Sequence, residues 1–326
     1  MKEIRIGTAV SNAVGLAKGE LRLADMPDGE AITIPVSILR GADGGPTLWL
    51  QGCVHGDEYC GTFIIHELLR SINHEALTGT VIALPILNIT ASLKHQRMSP
   101  YETMSHGDLN RCFPGKAGGS FSEQMAHAIY THLKEHADYL IDFHTALTAD
   151  VRWALYADAE GEVGKKAEGV ARAFGYNSTL PAPTDILGGS ALMTAAKDGI
   201  PSYIVEAGGI GQAFDTDTVT DGAERLRNVL RHLKMLAGSV TDYGPLTYFS
   251  NFAWVNAVRG GLFQATVKCG DSLEKGSVVG QLFDVFGDPV EDVLSPEPGV
   301  VLAVNAGPLM ASGEVLVHIG LDPRQV

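Results

Sequence analysis

Two histidines and a glutamate stand where they could bind one metal ion together. His55 and Glu58 are three residues apart in a glycine-framed turn that follows an apolar run and precedes a helix-like run. His144 ends a second apolar run of the sequence. Two imidazoles and a carboxylate form a ligand set suited to catalytic zinc. The types and spacing of these residues therefore predict a metal site at His55, Glu58 and His144.

The same residues also have ordinary structural interpretations. An HxxE pair occurs often by chance, and His55 alone could cap a helix or lie in the core. His144 alone could equally be structural. Both histidines, however, stand at the carboxyl ends of predicted strands, where open α/β sheets place their sites. Asp142, on the same strand face as His144, could orient a ligand imidazole.

Two further clusters place polar or charged groups in a loop and at a strand end. The loop 108–115 has the sequence DLNRCFPG, which sets Asn110 beside Arg111. A guanidinium can bind a carboxylate through two parallel hydrogen bonds, although a solvated arginine in a turn is the alternative. Glu206 ends the apolar run YIVE before two glycines. A carboxylate there costs free energy unless it is functional or forms a structural salt bridge, and both interpretations stay open.

Alternating strands and helices are expected to position these groups. The patterns predict strands at 31–39, 47–51, 80–87, 139–144, 153–156 and 202–205, and helices at 58–72, 120–136, 160–174 and 221–237. Ser120 and Glu123 form a predicted capping box, and Gly175 and Gly238 are expected to end helices. Residues 1–45 are expected to form short strands and turns. This alternation is typical of an α/β layered fold.

The pattern changes after residue 240. Helical periodicity disappears, and short β runs recur between glycine-centred turns. We therefore expect a catalytic domain at 1–240 and a β-barrel-like domain at 241–326. Parts of this tail resemble the half-repeats of lipoyl- and biotinyl-type barrels. A carrier role would need an exposed lysine between the halves, and no lysine follows Lys275.

Composition excludes several classes of protein. The chain has 326 residues, of which 45% are hydrophobic and 19% charged, so it is not intrinsically disordered. A net charge of −14 without a basic run argues against nucleic acid as a partner. No apolar run is long enough to cross a membrane, and the first residues lack a signal-peptide pattern, so we expect a cytoplasmic protein. The cysteines at 53, 60, 112 and 269 form no CxxC pair, so a cysteine-based zinc site is not expected.

The ordered motifs GxxHGDExxG, DLNRxFPG, DFH and VExGG together resemble the succinylglutamate desuccinylase/aspartoacylase family, a branch of the zinc carboxypeptidase superfamily. The resemblance covers most of residues 45–210, and the tail is similar to the C-terminal β domain of that family. It implies a mixed-sheet, zinc-carboxypeptidase-like α/β domain followed by a smaller β domain. It also implies one Zn²⁺ per chain on His55, Glu58 and His144, with Glu206 as general base and then proton donor.

The resemblance also assigns roles in substrate binding. Arg97 would polarise the scissile carbonyl, and Asn110 and Arg111 would hold a substrate carboxylate. The implied reaction is hydrolysis of an N-acyl amino acid to a carboxylic acid and a free amino acid. A zinc carboxypeptidase acting on small peptides is one alternative, and a non-catalytic binding or carrier protein is another. The β tail favours the acylase, in which such a domain narrows access. We expect a small-molecule partner and no nucleic acid or membrane, and a homo-oligomer stays open.

Overall fold

The computed structural model describes residues 1–102, 107–307 and 309–326, and a large mixed sheet is its main element. The strands are β1 (Ile4–Ile6), β2 (Ala9–Ser11), β3 (Gly15–Asp25), β4 (Ala31–Arg40), β5 (Ala42–Gly52), β6 (Thr78–Leu84), β7 (Tyr139–His144), β8 (Val151–Asp158), β9 (Ser178–Pro183), β10 (Ser202–Gly208), β11 (Thr247–Tyr248), β12 (Asn251–Asn256), β13 (Gly261–Ala265), β14 (Ser272–Leu273), β15 (Val278–Phe283), β16 (Pro289–Leu294), β17 (Gly299–Val304), β18 (Leu309–Met310), β19 (Val315–Leu321) and β20 (Arg324–Gln325).

The helices are α1 (Cys60–Ser71), α2 (Ile89–Ser92), α3 (Phe121–His136), α4 (Glu162–Phe174), α5 (Ala191–Lys197) and α6 (Thr216–His232), with short 3-10 helices at His74–Ala76 and Leu109–Arg111. Within the described residues, none of the helices is both long and apolar enough to cross a membrane.

The large sheet has ten strands in the order β20-β11-β9-β8-β10-β7-β5-β6-β4-β3. Its centre, from β10 through β7 and β5 to β6, is parallel, whereas β8 and β4 join that centre in antiparallel orientation. Helices cover both faces of this centre, as a parallel arrangement requires. The predicted mixed-sheet α/β fold with additional C-terminal β-sheets is confirmed.

Strand β5 shows how the sequence builds this layered core. Leu48 and Leu50 point to one face and pack in a cluster with residues of α1, α4 and α6. Trp49 points to the other face and packs with residues of α3 and α5. Successive side chains of a strand face opposite ways, so a strand covered on both faces is apolar at every position. The run LWL in the sequence therefore fits a central strand.

The tail contains two four-stranded antiparallel sheets that share one core. Their orders are β12-β19-β17-β14 and β16-β15-β13-β18. Val255 and Val317 from the first sheet pack in one cluster with Phe263 and Leu282 from the second. Two short strands of the tail, β11 and β20, instead extend the edge of the ten-stranded sheet beside β9. The proposed division at residue 240 therefore falls in the irregular segment between α6 and β11.

The N-terminal segment differs from the expectation of short strands. Strands β3 and β4 are 11 and 10 residues long and pair along their length. The side chains of Lys18, Glu20 and Arg22 point outward at every second position, which is the pattern of a strand with one exposed face. In the structure the backbone of Ala9 lies so close to Gly19 that a side chain would not fit.

Helix ends provide both confirmations and a correction. The capping box of Ser120 and Glu123 begins α3, and Gly175 ends α4 in the left-handed conformation. The predicted end of α6 near Gly238 is wrong, because the helix stops at His232. Lys234 has a left-handed φ of 59°, and the amide of Met235 donates to the carbonyl of Leu230 at 2.7 Å. The hydrogen bonds of this turn satisfy carbonyl groups of the last helical turn, so the helix ends before Gly238. Helix α5 and strand β9 were not predicted.

Candidate active site

The predicted site residues meet at the carboxyl ends of three neighbouring parallel strands. His55 follows β5, His144 is the last residue of β7, and Glu206 lies near the end of β10. In the pairing of β10 with β7, Glu206 stands directly opposite His144. Parallel strands end at the same edge of a sheet, so groups far apart in the sequence come together there.

The three predicted metal ligands form one buried cluster. His55 Nδ1 lies 2.7 Å from Glu58 Oε1, and His144 Nδ1 lies 3.1 Å from Glu58 Oε2. One donor atom from each residue lies within 4.8 Å of the other two. Helix α1 begins only at Cys60, so Glu58 stays in the turn and reaches both imidazoles.

A carboxylate also contacts the far nitrogen of each imidazole. His55 Nε2 lies 3.1 Å from Asp108 Oδ1, and His144 Nε2 lies 3.1 Å from Asp142 Oδ2. When a ring N–H faces a carboxylate, the proton stays on that nitrogen and the other nitrogen keeps its lone pair for a cation. His55 makes such a hydrogen bond to Asp108, whereas Asp142 contacts His144 without hydrogen-bond geometry. Both Nδ1 atoms face the Glu58 carboxylate, so the three residues are arranged to fit a metal ion.

The charges of the cluster also favour a cation. Burial opposes ionisation of His55, but the carboxylates of Glu58 and Asp108 outweigh it and raise the pKa of the imidazole. Burial likewise opposes ionisation of Glu58, but the charge of His55 and a hydrogen bond to His144 hold the pKa of this carboxyl well below its usual range. The carboxylates that stabilise a positive charge on these imidazoles would equally stabilise a divalent ion bound in place of the protons.

Asp108 is a site residue that the sequence did not reveal. Its motif was recognised, but only Asn110 and Arg111 within it were singled out. In the structure the Asp108 side chain accepts the amide of Asn110 at 2.9 Å and also contacts His55 and Arg97. Its position at the start of the 3-10 helix Leu109–Arg111 was a local signal for an N-cap. Its contact with His55 depends on how the loop crosses the sheet edge.

Arg97 lies at the rim of the cluster. Its Nη1 is 3.4 Å from Glu58 Oε1, and its Nη2 donates to Asp108 Oδ2 at 3.0 Å. The side chain is 44% exposed. The guanidinium is therefore held by a carboxylate on one side and remains accessible to a small molecule on the other.

Asn110 and Arg111 take different positions. Asn110 is buried, its Nδ2 lies 3.4 Å from His144 Nε2, and its Oδ1 accepts the amide of Ala191 at 3.1 Å. Arg111 is exposed, and its Nη1 donates to the backbone carbonyl of Asn110 at 2.7 Å. The structure thus brings the amide into the site and leaves the guanidinium at the surface beside it.

One carboxyl oxygen of Glu206 has no partner among the described residues. This oxygen, Oε2, is shielded from solvent and makes no hydrogen bond to any residue that the structure describes. Burial raises the pKa of Glu206 to about 7, although the neighbouring imidazole of His144 opposes this rise. A carboxyl group that titrates near neutrality is suited to accept and return a proton. A hydrogen-bonding group from outside the chain would satisfy this oxygen.

Comparisons with known proteins agree with this geometry. The model of the succinylglutamate desuccinylase/aspartoacylase catalytic domain matches residues 44–233. The N-alpha-acetyl-L-2,4-diaminobutyric acid deacetylase of Halomonas elongata is 29% identical in sequence, and the alignment covers 94% of each chain.

Two solved structures resemble the whole chain. The succinylglutamate desuccinylase/aspartoacylase from Rhodobacter sphaeroides is 27% identical, with a TM-score of 0.82 and coverage of 95% of this chain and 96% of that one. The product-bound ectoine utilization protein EutE (DoeB) from Ruegeria pomeroyi is 25% identical, with a TM-score of 0.82 and coverage of 95% and 97%.

Proposed function

The chain belongs to the succinylglutamate desuccinylase/aspartoacylase family and is a hydrolase that deacylates N-acyl amino acids, and we propose that it does so with one zinc ion. His55, Glu58 and His144 would hold this ion. The observation that carries the proposal is the convergence of these three donors within 4.8 Å, with a carboxylate on each far imidazole nitrogen. Two imidazoles and one carboxylate leave a coordination position open, as catalytic zinc requires.

Zinc, when bound, supplies a Lewis acid for the scissile carbonyl and lowers the pKa of water to about 7. The protein supplies the proton transfer. We assign to Glu206 the removal of a proton from the water whose oxygen bonds to the amide carbon. Glu206 then returns this proton to the amine nitrogen as the carbon–nitrogen bond breaks. Its unpartnered Oε2 and its pKa of about 7 support this role.

Arg97 is the proposed partner of the substrate carbonyl. Negative charge develops on that oxygen in the transition state, and a fixed guanidinium stabilises it. The hydrogen bond to Asp108 orients Arg97, and the exposed part of its side chain leaves room for the substrate.

We assign recognition of the substrate carboxylate to Asn110 and Arg111. The Asn110 amide is anchored by Ala191 and lies beside His144, so its position is fixed. The Nη1 atom of Arg111 donates to the backbone carbonyl of Asn110, and rotation of the side chain would bring the guanidinium to the substrate. The planar guanidinium matches the two oxygens of a carboxylate.

We also propose that residues 241–326 form a domain that limits access to the site. The loop after His144 contacts this tail directly. Thr148 Oγ1 donates to Asn305 Oδ1 at 3.0 Å, and the amide of Ala149 donates to the carbonyl of Val304 at 3.1 Å. A tail bound this close to a metal ligand can select substrates by size.

A hydrolysis screen of the zinc-loaded protein tests the proposed function. The Halomonas relative is named for N-alpha-acetyl-L-2,4-diaminobutyrate, so this compound is the first substrate to try. We expect release of acetate and the free diamino acid, with dipeptides left intact and with activity lost after chelation. A zinc-loaded protein that cleaves dipeptides but no N-acyl amino acid would contradict the proposal.

A further inference from the structure

The last turns of α3 carry a second group of metal-binding side chains. His132, Glu135 and His136 are spaced i, i+3 and i+4, so they lie on neighbouring positions of one helix surface. One donor atom of each lies within 4.8 Å of the other two. None of these residues belongs to the active site described above.

The imidazoles of this group have nitrogens without protein partners. The rings of His132 and His136 are stacked, with centroids 6.2 Å apart and planes at 7°. His132 Nδ1 and His136 Nε2 are shielded from solvent and make no hydrogen bond to any described residue. His136 Nε2 lies 3.9 Å from Glu135 Oε2, which is beyond a hydrogen bond but close enough for both atoms to approach one ion. Unpartnered buried nitrogens are rare unless something else satisfies them.

The protonation of the two rings also suits a metal. Burial lowers the pKa of both imidazoles and outweighs the charge of Glu135, which opposes this effect. Both rings are therefore neutral near neutral pH, which is the form that binds metal ions. The group also lies at the carboxyl end of a helix, where the helix dipole favours a cation.

We propose that His132, Glu135 and His136 bind a second divalent transition-metal ion, such as Zn²⁺, Ni²⁺ or Cu²⁺. Imidazole nitrogens prefer these ions to Mg²⁺ or Ca²⁺. The order HxxEH also occurs on metal-binding helices of zinc peptidases. Here the Glu135 side chain is 61% exposed at the protein surface, so we assign binding and no catalysis to this site.

Metal titration of the full chain, followed by equilibrium dialysis and elemental analysis, tests the second site. We expect two zinc ions per wild-type chain at saturation. The His132→Ala/His136→Ala variant should lose one of them, and His127→Ala, with an exposed histidine on the same helix, should keep both. The His144→Ala variant should keep one zinc ion, bound at the second site. Adding His132→Ala and His136→Ala to that variant should remove this remaining ion. This result does not depend on the proposed catalytic function.

A variant that changes only an exposed residue tests the second site without the risk that the chain fails to fold. Glu135→Lys replaces a proposed surface ligand by a positive charge, so zinc affinity at the site of His132, Glu135 and His136 should fall at least about tenfold. Its deacylase activity should not change. The proposal is overturned if wild type binds one ion per chain, if the second ion survives removal of both histidines, or if Glu135→Lys leaves the second affinity unaltered.

Discussion

Glu206 and His144 stand opposite each other in the parallel pairing of β10 and β7. The register of the sheet thus places the proposed proton-transfer group beside a proposed metal ligand, although the two residues are far apart in the sequence. Side chains alternate between the faces of a strand, so a slip of one residue in either strand would send the two groups to opposite faces. The pairing register of the central sheet therefore sets the relative position of these two groups.

The first prediction concerns Glu206→Gln. The amide keeps the shape of the side chain but cannot accept a proton, so the metal should stay bound while kcat falls about 10²–10⁴-fold. Steady-state kinetics together with metal analysis of the same sample measures both effects. A variant that turns over at a near-normal rate would remove Glu206 from the mechanism.

The second prediction concerns the carboxylate of Asp142, which lies behind the proposed metal ligand His144. Asp142 is fully buried and lies 3.1 Å from His144 Nε2. Asp142→Asn should leave His144 without its negative partner and lower zinc affinity about 10–100-fold. Competition with a chelator measures this change, and Asp158→Asn, an exposed aspartate on β8, is the control. Equal affinities for the two variants would show that Asp142 does not support the ligand.

The third prediction concerns the substrate carboxylate. Wild type should hydrolyse an N-acyl amino acid much faster than its neutral amide analogue. Arg111→Ala should lower kcat/KM for the acid about tenfold or more, equivalent to about 1.4 kcal/mol, and leave the rate with the amide nearly unchanged. Arg111→Lys keeps the charge without the planar fork and should recover only part of the loss. A wild-type enzyme that treats acid and amide alike would refute this assignment.

The fourth prediction concerns stability in acid. The ring of His318 in β19 is stacked on the ring of Trp254, with centroids 3.7 Å apart. It also contacts the ring of Trp153, in the ten-stranded sheet, in an edge-on arrangement. Neither ring nitrogen makes a hydrogen bond within the described part of the chain, and burial lowers the pKa of His318 to about 3. The unfolded chain binds a proton near pH 6.5, but the folded chain does not. Stability is therefore lost as the pH falls below that value.

From pH 8 to pH 5, this histidine should reduce the free energy of unfolding by about 2 kcal/mol. His318→Phe keeps an aromatic ring in the same place and cannot titrate. Chemical denaturation of both proteins at the two pH values should therefore show a smaller acid loss in the variant. An equal loss in both would mean that His318 titrates normally in the folded chain.

Local patterns were enough to propose His55, Glu58 and His144 as metal ligands, because His55 and Glu58 follow one apolar run and His144 ends another, and both runs had to be central strands. The contacts around these three residues could not be predicted in the same way. The contact of Asp108 with His55 joins residues that are 53 positions apart, and the contact of Asn110 with Ala191 joins residues 81 positions apart. No local pattern specifies such contacts, because they depend on how loops meet at the sheet edge.

The same limit applies to parts of the fold. The capping box at Ser120 and the glycine end of α4 involve neighbouring residues, and both were predicted. The end of α6 was not, because Lys234 adopts a left-handed conformation that its residue type does not suggest. The length of β3 was also missed: Gly19 lies within this strand and gives space to the backbone of Ala9, and the local sequence does not show that contact.

The most direct test of the central claim is an anomalous difference map from crystals of the zinc-loaded protein, recorded at the zinc absorption edge. The proposed mechanism predicts a peak bounded by His55 Nδ1, His144 Nδ1 and the Glu58 carboxylate, at about 2.0–2.1 Å from each nitrogen. The Nε2 atoms should still face Asp108 and Asp142. The map could instead show a fully occupied zinc ion elsewhere on the chain and no peak among these three residues. That result would contradict the assignment of a zinc-dependent active site.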